Sequence, residues 1–141
     1  MIIVELNKQV VFVYPKKLVE KINKIVQKKL SLKGNFNLSL AIVSPAKIRQ
    51  FNRIYRKKDY VTDVLSFEDN DKINKAIFIG EILICLVQAK KQAKEKKHSV
   101  QQEFITLYLH GLLHLFGYDH LKKAEAEMME TLEQKILNQI Y

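Results

Sequence analysis

The sequence predicts a single domain, residues 1–141, built from both strands and helices. Three observations predict it. The first is a chain of 141 residues, 48% hydrophobic and 28% charged, ordinary for one soluble globular domain with a sizeable core. The second is that short β-rich runs alternate along the chain with segments whose apolar residues recur every three to four positions. The third is that no repeat, low-complexity tract or linker divides it.

Taken in order, residues 2–6 and 10–13 are β-rich, and Asn7-Lys8 between them allows a hairpin or one bulged strand. Pro15 suits the first turn of a helix. From there Leu18, Ile22, Ile25, Val26 and Leu30 repeat at helical spacing, with lysines opposite, to an end near Gly34. Residues 37–43 begin with alternation and end continuously apolar, as a strand buried on at least one face does. Ser44-Pro45 opens a helix over residues 46–55: a capping hydroxyl, then proline in the first turn. A polar loop over residues 57–63 precedes a short strand over residues 64–67. The charged residues 68–75 have no periodicity and are expected to form a mobile loop. Residues 77–84 make the strongest strand, in which Gly80-Glu81 marks a bulge or a close backbone approach. A helix starts near Leu86 and lines up Lys90, Lys94 and Lys97, either a polyanion-binding stripe or a solvated face. Residues 99–102 fit a capping box and open a helix whose Phe104, Ile105, Leu107, Tyr108 and Leu112 make it apolar nearly all round. Such a helix is central to the core. Residues 121–140 form a last helix with Ala124, Met129, Leu132, Ile136 and Ile140 near its inner face and both Met128 and Met129 as core filler.

Net charge is +9, with a pI near 9.6. That predicts attraction to polyanions, nucleic acid first and anionic membrane second, unless it reflects a lysine-rich proteome. Arginine is the more telling residue. Only three are present, and Arg49, Arg53 and Arg56 fall along one stripe if the second helix reaches Arg56. A guanidinium fork grips phosphate bidentately where lysine does not, although a solvated face is the alternative. Lys57 and Lys58 follow directly, so Arg49, Arg53, Lys57 and Lys58 are candidate RNA-binding residues. The lone Cys85 has no disulfide partner and sits in an apolar run, where a buried, inert thiol is expected. No signal peptide is expected at the N-terminus and no span approaches about 18 apolar residues, so the protein is expected to be cytoplasmic, with no membrane partner.

Three of four histidines lie within eleven residues, at His110, His114 and His120. Residues four apart share one helical face, so His110 and His114 can point at one cation. Gly117 lets the chain leave the helix through a left-handed turn and return with His120. Three neutral imidazoles with an open fourth position describe a catalytic zinc, one per chain, at the end of the central buried helix. The register is also that of metzincin metalloproteases, which need a glutamate directly after the first histidine. Here that position is Gly111, so a protease or other amide hydrolase by that mechanism is disfavoured. Phosphodiester cleavage instead needs a metal and cations for the gathering negative charge, and Arg56 is the candidate catalytic cation. Asp119 either shuttles a proton or orients an imidazole, or it caps the last helix. A non-catalytic RNA- or ribosome-binding protein with a structural zinc is the remaining alternative.

At these residues the sequence resembles the bacterial YbeY-type endoribonucleases of ribosomal RNA maturation. The signature is His110-Gly-x-Leu-His114-Leu-x-Gly117-Tyr118-Asp119-His120. A second block is Asn52-Arg-x-Tyr55-Arg56-x-Lys-Asp59 followed by Thr62-Asp63-Val-Leu-Ser-Phe67, and a third is Ile79-Gly80-Glu81-Ile82. The resemblance runs from about Ile42 to the C-terminus; the first forty residues match loosely. The family more often has aspartate at Glu81 and continues the second block with proline, where this chain has Glu68. The resemblance implies zinc on the three histidines and Arg56 as the functional arginine of the cleft. It implies hydrolysis of single-stranded RNA in 16S ribosomal RNA maturation and ribosome quality control, with ribosomal RNA and the small ribosomal subunit as partners. The implied fold is α+β, a small mixed sheet packed with helices.

Overall fold

A computed structural model describes residues 1–73 and 75–141, the side chains of residues 72 and 73 apart. The elements run β1 (Ile2–Lys8), α1 (Lys16–Lys29), β2 (Asn35–Val43), α2 (Pro45–Arg56), β3 (Val64–Ile73), β4 (Ala76–Cys85), α3 (Leu86–Lys96), α4 (Val100–Leu115) and α5 (Lys123–Leu137). The sheet order is β1-β2-β4-β3, with β1/β2 and β2/β4 parallel and β3/β4 antiparallel. This is the mixed sheet of an α+β fold.

Pleat alternation decides what each face meets. Leu38, Leu40, Ile42, Ile82 and Ile84 turn towards the large core, which also holds Val19, Ile22 and Val26 of α1 and Met129 and Ile136 of α5. The intervening Ala41, Val43, Leu83 and Cys85 face a smaller cluster completed by Ile48 of α2. At the centre, α4 buries Phe104, Ile105, Tyr108, Leu109, Leu112 and Leu113 completely. Each such apolar side chain contributes about 1.5–3 kcal/mol by leaving water. Capping hydroxyls start two helices as the sequence predicts: Ser44 Oγ accepts from the Lys47 amide and Ser99 Oγ from the Gln102 amide. The second helix does reach Arg56.

Four expectations fail. Residues 10–13 form no strand. Their alternation is real, with Val11 98% and Val13 90% exposed. Phe12, however, packs at a tilt against Phe104 of α4, with ring centroids 4.9 Å apart, instead of lying beside another strand. No hairpin forms either, because β1 runs parallel to β2 and α1 supplies the crossover that parallel strands require. Residues 68–73 continue β3 and are not a loop. They pair with β4 through an irregularity between Glu68 and Asp71, and an exposed edge strand held by its ladder needs no apolar alternation. Of the expected loop, Asn74 lies outside the described residues and Lys75 is in a turn. Finally, Ala124 and Met128 are exposed, since α5 turns only a narrow stripe inwards.

Gly80 is the close approach that the sequence marks. Its φ is +135°, and β2 and β3 both shift register opposite it. A Cβ there would collide with the Phe67 carbonyl and come within 2.9 Å of Leu115 at the end of α4. Cys85 ends β4 buried, and that burial pushes its thiol pKa up, as expected of an inert cysteine.

At the other end of α4, Glu103 is completely buried in the first turn. Its carboxylate accepts from Gln92 Nε2 at 2.8 Å and Lys96 Nζ at 3.2 Å, and His98 Nε2 stands 2.7 Å away. Burial drives this carboxyl's pKa up, but the bonds from Gln92, His98 and Lys96 outweigh it and hold it below the usual 4.5. A carboxyl lowered in the folded state contributes stability that is present above the unfolded pKa and lost as pH falls through the folded one. Urea titrations of wild type and Glu103→Gln are therefore expected to differ most at neutral pH and to converge below pH 4.5. A difference independent of pH would mean that the carboxylate charge contributes nothing.

Candidate metal site and cleft

The C-terminal end of α4 carries His110 and His114 on one face, one turn apart. Gly117, at φ +96°, closes the turn: its amide donates to the His114 carbonyl and the next amide, of Tyr118, donates to the Leu113 carbonyl. The chain then returns with His120. His110 Nε2 and His114 Nε2 stand 3.1 Å apart, as do His114 Nε2 and His120 Nδ1. One ring nitrogen from each imidazole lies within 4.8 Å of the others, so the three can hold a metal ion. Nitrogens placed about 2.0–2.1 Å from one tetrahedral ion stand roughly 3.3 Å apart, close to the separations seen. His120 offers Nδ1, a detail that spacing does not specify.

Protonation also suits a metal. Burial lowers the His114 pKa, and His110 and His120 beside it lower it further. A backbone bond with Tyr118 and the charge of Asp119 oppose them in part. A neutral imidazole is the form that binds a cation. His110 Nδ1 stands 2.5 Å from Glu133 Oε1 on α5. If Nδ1–H donates to that carboxylate, the Nε2 lone pair is left facing the other histidines, the arrangement that orients a metal-binding imidazole. Sequence reasoning missed Glu133. Its signal is an acid spaced i+4 from Met129 and i−3 from Ile136, on the buried stripe of the last helix.

The histidines open into a cleft of about 570 Å³ whose walls include Arg56, Lys58, Tyr60, Asp63, Ser66 and Asp119. Arg56, the last residue of α2, donates from Nη2 to the Ser66 carbonyl at 2.5 Å and lies 5.1 Å above the Phe67 ring. Lys57 in the left-handed conformation turns the chain there. The cleft therefore brings Arg56, Lys58 and Asp119 to the three histidines. Arg49, Arg53 and Lys57 do not line it, and Arg49 is engaged with Asp59 at 2.8 Å on an exposed surface. Asp119 Oδ1 accepts from the His120 amide, whereas α5 starts without any side-chain cap, so Asp119 does not cap that helix. Asp63, to which sequence reasoning gave no role, is fixed by the Val64 amide at 2.7 Å and by Gln92 Nε2 at 3.2 Å. Gly111 also lines the cleft, and a Cβ on it would stand 3.0 Å from Ile82 of β4. The position a metzincin gives to its glutamate is thus pressed against the sheet. No described helix is long and apolar enough to cross a membrane.

Residues 4–141 match the family described as Endoribonuclease YbeY, reaching back through the N-terminal residues that resemble it only loosely. Proteins named endoribonuclease YbeY are similar to the chain in several bacteria. That of Finegoldia magna is 42% identical over 107 residues, covering 75% of this chain and 70% of its own. That of Alkaliphilus metalliredigens is 37% identical over 142 residues, covering 95% and 92%. A solution structure of a Thermotoga maritima protein superposes with a TM-score of 0.58 at 24% identity, over 99% of this chain and 91% of that one, which establishes likeness of fold. The chain belongs to the endoribonuclease YbeY family.

Proposed function

We propose that this protein is a zinc-dependent endoribonuclease, one domain over residues 1–141 with one zinc per chain. It cleaves single-stranded RNA in the cytoplasm, in maturation of the small-subunit 16S ribosomal RNA and in ribosome quality control. The observation that carries the reading is one cleft lined by three converging imidazoles and Arg56, in a chain whose relatives are named endoribonucleases. His110, His114 and His120 are the residues that would hold the metal, a nitrogen donor set suited to zinc. When bound, zinc supplies Lewis acidity at the scissile phosphate.

The chain's own residues do the rest. Arg56 is held over Phe67 and by Ser66, so its guanidinium is preorganised to meet phosphate oxygens on which charge gathers. Lys58 adds a second positive charge on the same wall and draws the strand in. Arg49, Arg53 and Lys57 lie outside the cleft and extend the basic surface along which the rest of the RNA runs. Asp119, anchored at the His120 amide, faces the cleft as the carboxylate able to hold or pass a proton. Glu133 keeps His110 in register from behind. Gly111 has no side chain to serve as the base that metzincin peptide hydrolysis requires, and a Cβ there would stand 3.0 Å from Ile82, which speaks against the protease reading.

The test is cleavage of a defined single-stranded RNA by purified protein of measured metal content. Arg56→Ala is expected to retain zinc and lose activity about 100-fold, since one preorganised donor is worth roughly 10²–10³ in rate. Retention of full activity by Arg56→Ala would remove it from the reaction. Cleavage that survives removal of all metal by a chelator would sink the metal-dependent reading.

A further inference from the structure

Far from the histidine cleft, and sharing no residue with it, a groove of about 990 Å³ runs between β1 and α1. β1 is an edge strand. The Met1 carbonyl and the Gln9 amide both bond to β2, so alternation directs the backbone of Ile3, Glu5 and Asn7 to β2 and that of Ile2, Val4 and Leu6 to the open edge. Those outward amides and carbonyls have no neighbouring strand among the described residues. Such an edge is a template for one more strand.

The groove beside it is furnished for a ligand. Its floor includes Ile2, Val4 and Val19. Asn23 lines it while only 4% exposed. The Asn23 Oδ1 accepts the Tyr108 hydroxyl at 2.6 Å. Tyr14 also lines the groove, its phenol held neutral with a pKa of about 12 by burial and by Glu20. Around the rim stand Lys16, Lys24, Lys28 and Lys33, with Glu20 the only acid.

We propose that this groove captures an extended acidic segment of a partner protein, which joins β1 as a fifth strand. Main-chain bonds to Ile2 and Val4 would fix its register, and alternate apolar side chains would fill the floor. The intervening acidic side chains would meet the lysine rim. RNA suits the lysines but not the rest: its backbone has no amide–carbonyl ladder to pair with a strand edge, and the floor is apolar.

The experiment titrates the full-length, isotope-labelled chain with three probes and follows backbone amides by NMR. The probes are a blocked nine-residue peptide alternating valine and glutamate, its valine–lysine counterpart, and a nine-nucleotide oligouridylate. The acidic peptide is expected to perturb β1 and α1 alone and to slow amide exchange at Val4 and Leu6. It should bind at least tenfold more tightly than the basic one. Lys24→Glu with Lys28→Glu, both exposed, should reverse that preference while RNA cleavage stays unchanged. The proposal is overturned if neither peptide binds, if both bind alike, or if only the oligonucleotide perturbs the groove. None of these results bears on the histidine cleft.

Discussion

Replacing His114 by alanine is expected to remove both the metal and the RNA cleavage. His114 is the central donor of the three, 3.1 Å from a ring nitrogen of each neighbour. Without it, two imidazoles remain, too few for a site whose catalytic form has three protein ligands. Metal analysis of the purified variant should fall from about one zinc per chain to background, and the cleavage rate by roughly 1,000-fold or more. The fold should survive, because the His114 side chain is only half-buried and α4 is held by its apolar residues. A variant with normal zinc content would show that the metal sits elsewhere. Glu133→Gln gives the graded version. With all three ligands intact but the orienting carboxylate gone, metal affinity should fall about 10–100-fold.

Gly80→Ala is expected to be the most damaging small substitution for stability. The glycine combines a φ of +135°, strained for any residue with a Cβ, with a site where the Phe67 carbonyl already fills that Cβ's volume. One methyl group would force β3 off β4 and push Leu115 at the end of α4. A loss of about 3 kcal/mol is expected, or roughly 10 °C in Tm for a chain of this size. Thermal unfolding followed by circular dichroism measures it. A change of only a degree or two would mean that the strands part there without cost. Because Leu115 follows His114, zinc affinity should weaken as well.

Much of this was legible in the sequence. The helices were, because their apolar residues recur at helical spacing and two of them open on a capping serine, Ser44 and Ser99. The three histidines were, because two of them share a helix and the third follows a single glycine, so their meeting is nearly local. What escaped depends on partners distant in the chain. Residues 10–13 alternate like a strand, and only the position of Phe104 reveals that they latch onto a helix instead. Residues 68–73 look like a loop, since an edge strand can be polar and draw its order from β4 alone. Glu133 reaches His110 through the packing of α5, and Asp63 is held beside the cleft by Gln92 of α3, for which one chain read in order offers only a charge in an unexpected place. Arg56 was singled out by the scarcity of arginine, but that Arg49 and Arg53 miss the cleft is a matter of distance along α2, of which Arg56 is the last residue, and their shared stripe conceals it.

The anchoring of α4 at both ends has a consequence for which changes of chain length the protein can absorb. Glu103 fixes the rotation of its first turn, and Gly80 and Gly111 fix how closely its last turns lie on the sheet. Each residue added to a helix advances it 1.5 Å and rotates it about 100°. One insertion between Glu103 and His110 would therefore swing both imidazoles about a quarter-turn out of the cleft while leaving the helix intact. One insertion in the segment between β1 and α1 would disturb only the contacts of Phe12 and Tyr14 with Phe104, at the end of α4 far from the histidines. α4 behaves as a phase gauge: its residue count, as much as its residue identities, is part of the metal site.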